Sequence, residues 1–249
     1  DFEELIYRMQ LNQAEAIKFA VENWRVRKFK TSGTIFWQWN DPWPVISWSA
    51  IDYKRRPKAL YFFAKKFFSP VLLVIKKVED RAQIFIVNDL LNPISCGVII
   101  KTMTTRGEVK FFSKFNASVR GNDVALALDV PLSELKVEDF KTDYIYAKLE
   151  VDGSVIAENS LYLTEPKFLK LKNPGLRYKL IKSDEETLTL RITSSGLAKS
   201  VFINFENGDD IWLSDNFFDV HPSATVEIKV KSNKSVAELL RSLRIKYLT

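Results

Sequence analysis

The sequence predicts a mainly β protein in which two immunoglobulin-like β-sandwiches follow a short helix-strand-helix segment. Three observations predict it. The hydrophobic period is 3.6 residues up to about residue 69 and close to 2 beyond it. The period-2 region holds about fourteen strand-sized runs, about seven on each side of Glu165-Pro166-Lys167, where a proline interrupts the pattern. Each side is about a hundred residues long, the length and strand number of an immunoglobulin-like sandwich. The expected division is therefore 1–69, 70–164 and 165–249.

The elements follow in order. Asp1 with Glu4 three residues on resembles a capping box, so a helix should begin there. Phe2, Ile6, Met9, Ala16, Ile17, Ala20 and Trp24 recur at three- and four-residue intervals and form one apolar stripe. Thr31-Ser32-Gly33 ends the pattern. Residues 34–39 read as a short strand without polar alternation, the pattern of a parallel strand covered on both faces. Pro57 suits a first helical position, and 57–68 reads as a second helix with Leu60, Phe63, Ala64 and Phe67 on one side. Beyond Pro70 the alternation is direct: Val124, Leu126, Leu128 and Val130; Leu188, Leu190 and Ile192; Val226, Ile228 and Val230. One parallel strand cannot make a sheet. The two helices need cover from the sandwiches or from polypeptide outside this chain, which reads as the end of something larger.

Composition removes several function classes. The 249 residues are 46% hydrophobic, enough for real cores, and no apolar run reaches the eighteen or so residues of a membrane helix, so no membrane partner is expected. The formal net charge of +6 comes from singly scattered cations, apart from clusters at 25–30 and 54–58. The first cluster occupies the last turn of the predicted helix, where cations suit the macrodipole, and no nucleic-acid partner is expected. Lone Cys96 excludes an internal disulfide and reads as a buried thiol; it favours a reducing compartment such as the cytoplasm and leaves localisation open. His221 is the single histidine, so neither a metal site nor a histidine-based triad can be assembled. Eight glycines leave little room for a phosphate-binding loop, and no cofactor is implied. Asp184-Glu185-Glu186 and Asp209-Asp210 read as solvated turns.

Residues 34–49 hold four of the six tryptophans: Trp37, Trp39, Trp43 and Trp48. On a strand, Trp37 and Trp39 point to opposite sides, and Asn40 and Asp41 follow at its end, where they can bond hydroxyls. Trp43 and Trp48 can wall a pocket for a flat ligand such as a sugar ring. The same rings can equally be core filling. Both readings stand on spacing alone.

The stretches 13–25 and 33–41, then Trp43-Pro44, Ser47-Trp48-Ser49, Asp52-Tyr53 and 56–59, closely resemble the end of the catalytic barrel of β-mannosidases of glycoside hydrolase family 2. The similarity is dense over about residues 5–70, and Ser214 to Asp219 resembles the family's last sandwich domain. Trp39 departs from it, standing where many members carry leucine. The resemblance implies that 1–69 is the last helix-strand-helix part of a (β/α)8 TIM barrel. It implies a retaining exo-glycosidase acting on a terminal β-mannoside, with Trp37 as the aromatic floor under the sugar and Asn40 and Asp41 positioning hydroxyls or neighbouring groups. The family's two catalytic glutamates would precede Asp1, so this chain has no catalytic residue of its own. It would act only with an N-terminal catalytic polypeptide and be inactive alone. Glu15 and Glu22 cannot replace the pair, because they lie roughly 10 Å apart along one helix, whereas retention needs carboxylates about 5–5.5 Å apart. A non-catalytic carbohydrate-binding or assembly module is the alternative.

Overall fold

The computed structural model describes residues 1–182, 187–206, 208 and 210–249. Asp184, Glu185, Glu186 and Asp209, expected in solvated turns, lie outside the described residues. Asp210 is an exposed turn residue 3.5 Å from the Lys234 ammonium. The chain divides into two compact units, one of residues 17–35 and 65–170, the other of 1–16, 36–64 and 171–249.

The first unit contains strands β1 (Val71–Val78), β2 (Arg81–Asn88), β3 (Ile94–Thr104), β4 (Val109–Val119), β5 (Asp123–Pro131), β6 (Asp143–Val151) and β7 (Ser154–Tyr162). They pair antiparallel in two sheets, ordered β1-β2-β5 and β4-β3-β6-β7. Leu73, Ile75, Ile84 and Ile86 from the first sheet meet Val98, Ile100, Ile145 and Leu149 from the second, which is the inner-face alternation a sandwich requires. Strand β1 does not alternate. Its other face, Leu72 and Val74, is also buried and packs with Val87 and Val26. Helix α1 (Phe2–Arg25) ends in this unit, where the Arg25 guanidinium donates to the carbonyls of Phe67 and Ser69 at 2.7 and 2.8 Å and to Asp89 at 2.8 Å. Those carbonyls close helix α2 (Ala59–Phe67), whose last C=O groups lack intrahelical donors.

Asp143 fastens the loop between β5 and β6. Almost wholly buried, it accepts from Lys110 Nζ at 2.9 Å, the Glu138 and Asp139 amides at 2.9 and 3.1 Å, and the Thr142 hydroxyl at 3.0 Å. Burial raises the pKa of this carboxyl, but these bonds outweigh it and hold it below the ordinary 3.8.

In the second unit the strands are β8 (Arg177–Lys182), β9 (Thr187–Thr193), β10 (Ala198–Phe205), β11 (Trp212–Leu213), β12 (Phe218–Val220), β13 (Thr225–Lys231) and β14 (Leu243–Leu248), with helix α3 (Val236–Ser242). The sheets run β12-β10-β14 and β11-β13-β9-β8 around Leu190, Ile192, Val201, Ile203, Ile228 and Val230. Ser235 and Glu238 form a reciprocal capping box on α3. Asn216 is buried and substitutes for a strand partner: its amide oxygen accepts from the Ile203 N–H and its nitrogen donates to the Ile203 carbonyl, both at 2.8 Å.

The first half of α1 and part of α2 belong to this second unit. Asp1 caps α1, its carboxylate accepting from the Glu4 amide at 2.7 Å; the Glu4 side chain turns instead to Arg8 and Lys246. The Tyr7 ring stacks on Phe202 and Phe217, with centroids 6.1 and 6.3 Å away, and its hydroxyl donates to the Ser200 carbonyl at 2.6 Å. Burial, reinforced by the Asp219 charge, pushes the Tyr7 phenol above its ordinary range, so it remains a donor. Lys199, also buried, lies 3.4 Å from Glu15 and 3.7 Å from Asp219.

Two sequence expectations are corrected. The buried side of α1 is Tyr7, Leu11, Ala14 and Val21, while Phe2, Ile6, Met9 and Trp24 of the expected stripe are exposed. A helix apolar on two sides buries the side for which a matching ring surface exists. Residues 34–39 are not a strand: among the described residues, no strand of the four sheets pairs with them. A strand persists only through inter-strand hydrogen bonds, and an apolar run alone does not supply them.

Asp143→Ala should lower unfolding stability by about 2–4 kcal/mol, because it leaves the Glu138 and Asp139 amides without their acceptor and Lys110 with Glu138 alone. Chemical denaturation at neutral pH checks this. Since the folded pKa of Asp143 is depressed, its contribution is complete above the unfolded value. It fades as pH falls through the folded value, so wild type and variant should converge in acid.

Candidate functional site

The tryptophan segment is a loop folded on itself. The Trp37-Gln38 peptide is cis. The Ala50 amide donates to the carbonyls of Gln38 and Trp39 at 3.0 and 3.1 Å, the Ile51 amide to Trp39 at 2.9 Å, and the Asp41 amide back to Ile51 at 3.0 Å. Residues 38–41 and 50–51 thus satisfy each other's backbone, in place of a sheet. Lys58 N–H continues the chain of bonds to the Ala50 carbonyl at 2.9 Å, and Gln10 of α1 accepts from the Ala59 amide at 3.1 Å, supplying an acceptor at the start of α2. The observed helix begins two residues after Pro57.

Asp41 is the hub of this loop and is only 4% exposed. One oxygen accepts from the Ser47 hydroxyl at 2.5 Å and from Gln38 Nε2 at 3.3 Å; the other accepts from the Ser49 hydroxyl at 2.7 Å and from Lys58 Nζ at 3.3 Å. Lys58 also donates to Ser49 Oγ at 2.7 Å. Burial alone raises the Asp41 pKa, but the bonds from Ser47, Ser49 and Lys58 prevail, and the carboxyl sits below its ordinary 3.8.

With the polar groups turned inward, the rings face water. Trp37, Trp39, Trp43 and Trp48 are 75%, 53%, 62% and 65% exposed. Trp39 leans on Tyr61 and Phe36, with ring centroids 5.8 and 6.4 Å away. Gln13 of α1 donates to the Trp48 carbonyl at 2.6 Å and so anchors that end of the loop.

Of the residues expected to bind substrate, Trp37 presents its ring to solvent. Asn40 is exposed and bridges to Ile51 through its backbone, while its carbonyl accepts from Gln38 at 3.1 Å. Asp41 lies beneath the surface with both oxygens engaged, so it shapes the loop rather than facing a ligand. Sequence reasoning passed over Ser47, Ser49, Gln38 and Lys58 as its partners. A readable signal existed in the Ser-Trp-Ser alternation, which turns two hydroxyls the same way. Glu15 and Glu22 are engaged with Lys199 and with Asn159, respectively.

Comparison with known proteins agrees with this architecture. Residues 80–167 match the profile of the mannosidase Ig/CBM-like domain, and residues 171–249 match an Ig-fold domain profile of the mannosidases. The β-D-mannosidase of Dictyoglomus thermophilum superposes with a TM-score of 0.89 at 29% identity, over 99% of this chain and 30% of that one. The chain corresponds to the C-terminal immunoglobulin-like region of the family 2 β-mannosidases. Beta-mannosidase B of Aspergillus niger is 25% identical over 92% of the chain, and that of Aspergillus terreus is 24% identical over all of it. The chain spans 29% and 31% of the lengths of these two β-mannosidases. The exo-chitosanase CsxA of Amycolatopsis orientalis shares the fold, with a TM-score of 0.75 at 18% identity. Among the described residues, no helix is long and apolar enough to cross a membrane.

Asp41→Asn should destabilise the loop by about 2–4 kcal/mol, since an amide places a donor against Ser49 and Lys58. Hydrogen exchange at the Asp41, Ala50 and Ile51 amides should accelerate, with the β9 and β13 amides unchanged. The Asp41 contribution is present above the unfolded pKa and lost as pH falls through the lowered folded value, so the exchange difference should vanish in acid.

Proposed function

We propose that this chain contributes the tryptophan wall of the sugar site and the two following sandwiches to a retaining exo-β-mannosidase, and that it has no glycosidase activity alone. The observation that carries this reading is the set of outward-facing rings at Trp37, Trp43 and Trp48 on a loop pinned from below by Asp41. An exposed indole face offers apolar contact to the C–H face of a pyranose. Its negative quadrupole also favours the positive charge that develops on the sugar ring in the oxocarbenium-like transition state. Trp37 has the role of that floor, with Asn40 beside it able to bond hydroxyls.

The reaction needs a protonated acid and an ionised nucleophile about 5–5.5 Å apart. Asp41 is a poor candidate for either, being buried, hydrogen-bonded and held ionised; Glu15 and Glu22 are occupied on a helix. The carboxylate pair would come from the part of the enzyme that lies outside the matched three-tenths of its relatives. This segment would close the (β/α)8 barrel formed by that part. The exposed apolar side chains Phe2, Met9 and Ile46 suit packing against it.

The purified chain should therefore not turn over a chromogenic β-mannoside, and co-expression with a matching N-terminal polypeptide should restore turnover. Activity of the chain alone would overturn the reading. In the complete enzyme, Trp37→Ala should reduce kcat/KM by about a hundredfold or more, about 2.7 kcal/mol of transition-state stabilisation; an unchanged value would remove Trp37 from the site.

A second reading, a non-catalytic carbohydrate-binding module, draws on the match of residues 80–167 to an Ig/CBM-like domain. Titration of the chain with manno-oligosaccharides, followed by tryptophan fluorescence, separates the two. Saturable binding that survives Trp37→Ala would favour the module.

A further inference from the structure

The outer face of the four-stranded sheet β11-β13-β9-β8 is nearly single-signed. Strand β13 alternates Ile228 and Val230 inward with Glu227, Lys229 and Lys231 outward, and β9 turns Thr187, Thr189, Arg191 and Thr193 to the same side. The antiparallel register sets Lys179, Arg191 and Glu227 in one row, Ile181, Thr189 and Lys229 in the next, and Thr187, Lys231 and Trp212 in a third; Arg177 lies in a row with Thr193 and Thr225. Among the described residues, five exposed cations thus stand against one carboxylate, and that carboxylate is taken by Arg191 at 2.6 Å. The described strand residues of this face carry a net charge of +4, where the whole chain carries +6. A merely solvated sheet face mixes both signs and keeps its potential low. Here cations repeat at about 5 Å across strands and about 7 Å along them, with threonine hydroxyls between. Trp212 stands at the rim with the Lys231 ammonium 5.6 Å from its ring centre.

We propose that this face binds an acidic polysaccharide, a chain bearing carboxylate or sulfate groups. The flat array of point charges and hydroxyls fits a linear polyanion lying across the strands, and the single rim indole fits one sugar ring. Single-stranded nucleic acid fits it poorly, because successive bases need several stacking platforms. A duplex needs an element that enters a groove, and this face carries none.

The test uses the 249-residue chain with heparin, polygalacturonate, neutral mannan and single-stranded DNA as probes, at low and raised salt. Heparin or polygalacturonate should bind, weaken with salt and exceed the DNA, while this face ignores mannan. A triple variant, Arg177→Glu with Lys179→Glu and Lys229→Glu, should lose at least tenfold in affinity. A control reversing the exposed Lys30, Arg120 and Lys172 should stay within about threefold. Lys179→Gln and Lys229→Gln, taken singly with unfolding curves unchanged, should each weaken binding two- to fivefold. Equal losses in triple variant and control would reduce the effect to net charge and overturn the proposal. So would tighter binding of DNA, unaltered affinity in both single variants, or no binding of either polyanion.

Discussion

A carboxylate taken out of water keeps its charge only where donors replace the lost hydration, and residues 37–58 are organised around meeting that demand at Asp41. Ser47, Ser49, Gln38 and Lys58 converge on it from both directions along the chain. Their convergence draws the loop back over itself, so that the Ala50 and Ile51 amides meet the carbonyls of Gln38 and Trp39. Polar groups fill the interior of the loop, and its indoles have nowhere to go but outward. The display of Trp37, Trp43 and Trp48 is therefore a consequence of where the buried charge lies. A twenty-residue loop without such a centre would leave much of its backbone unpaired.

The helices are held by similar chemistry. In one unit the Tyr7 ring lies against the stacked pair Phe202 and Phe217 and its hydroxyl donates a hydrogen bond to the Ser200 carbonyl, while Lys199 answers Glu15. The acceptor and the cation lie in the irregular stretch of β10, where the register shifts between Ala198 and Val201 against β12 and between Lys199 and Phe202 against β14, and Ser200 has a positive φ of 55°. The bulge that breaks the ladder with β14 is also what turns these groups toward the helix. In the other unit Arg25 closes the last carbonyls of α2. Each contact gives a helix end or face a specific polar mate, which hydrophobic burial alone does not provide.

The sandwiches were the most legible part. Strands such as β9 and β13 face water on one side and core on the other, and that difference writes itself into the sequence as alternation. β1 shows no alternation because residues near Val26 cover its second face. The run at 34–39 looks the same in sequence and yet is no strand, since pairing depends on neighbours that a local pattern does not reveal. Asp41 was noticed and read as positioning hydroxyls or neighbouring groups, without its contacts inside the loop. Its partners Ser49 and Lys58, eight and seventeen residues away, meet it only after the loop folds.

Periodicity was enough, from sequence alone, to indicate two sandwiches, and the tryptophan-rich stretches carried the resemblance to the family and marked the region to examine. These are properties of local pattern and of residue type. Tertiary structure decided which side of α1 is buried, that 34–39 joins none of the described sheets, and that Asp41 supports the loop from within while Trp37 faces out. Those outcomes turn on which distant donors, rings and backbone groups come within bonding reach, a geometry that spacing along the chain does not contain.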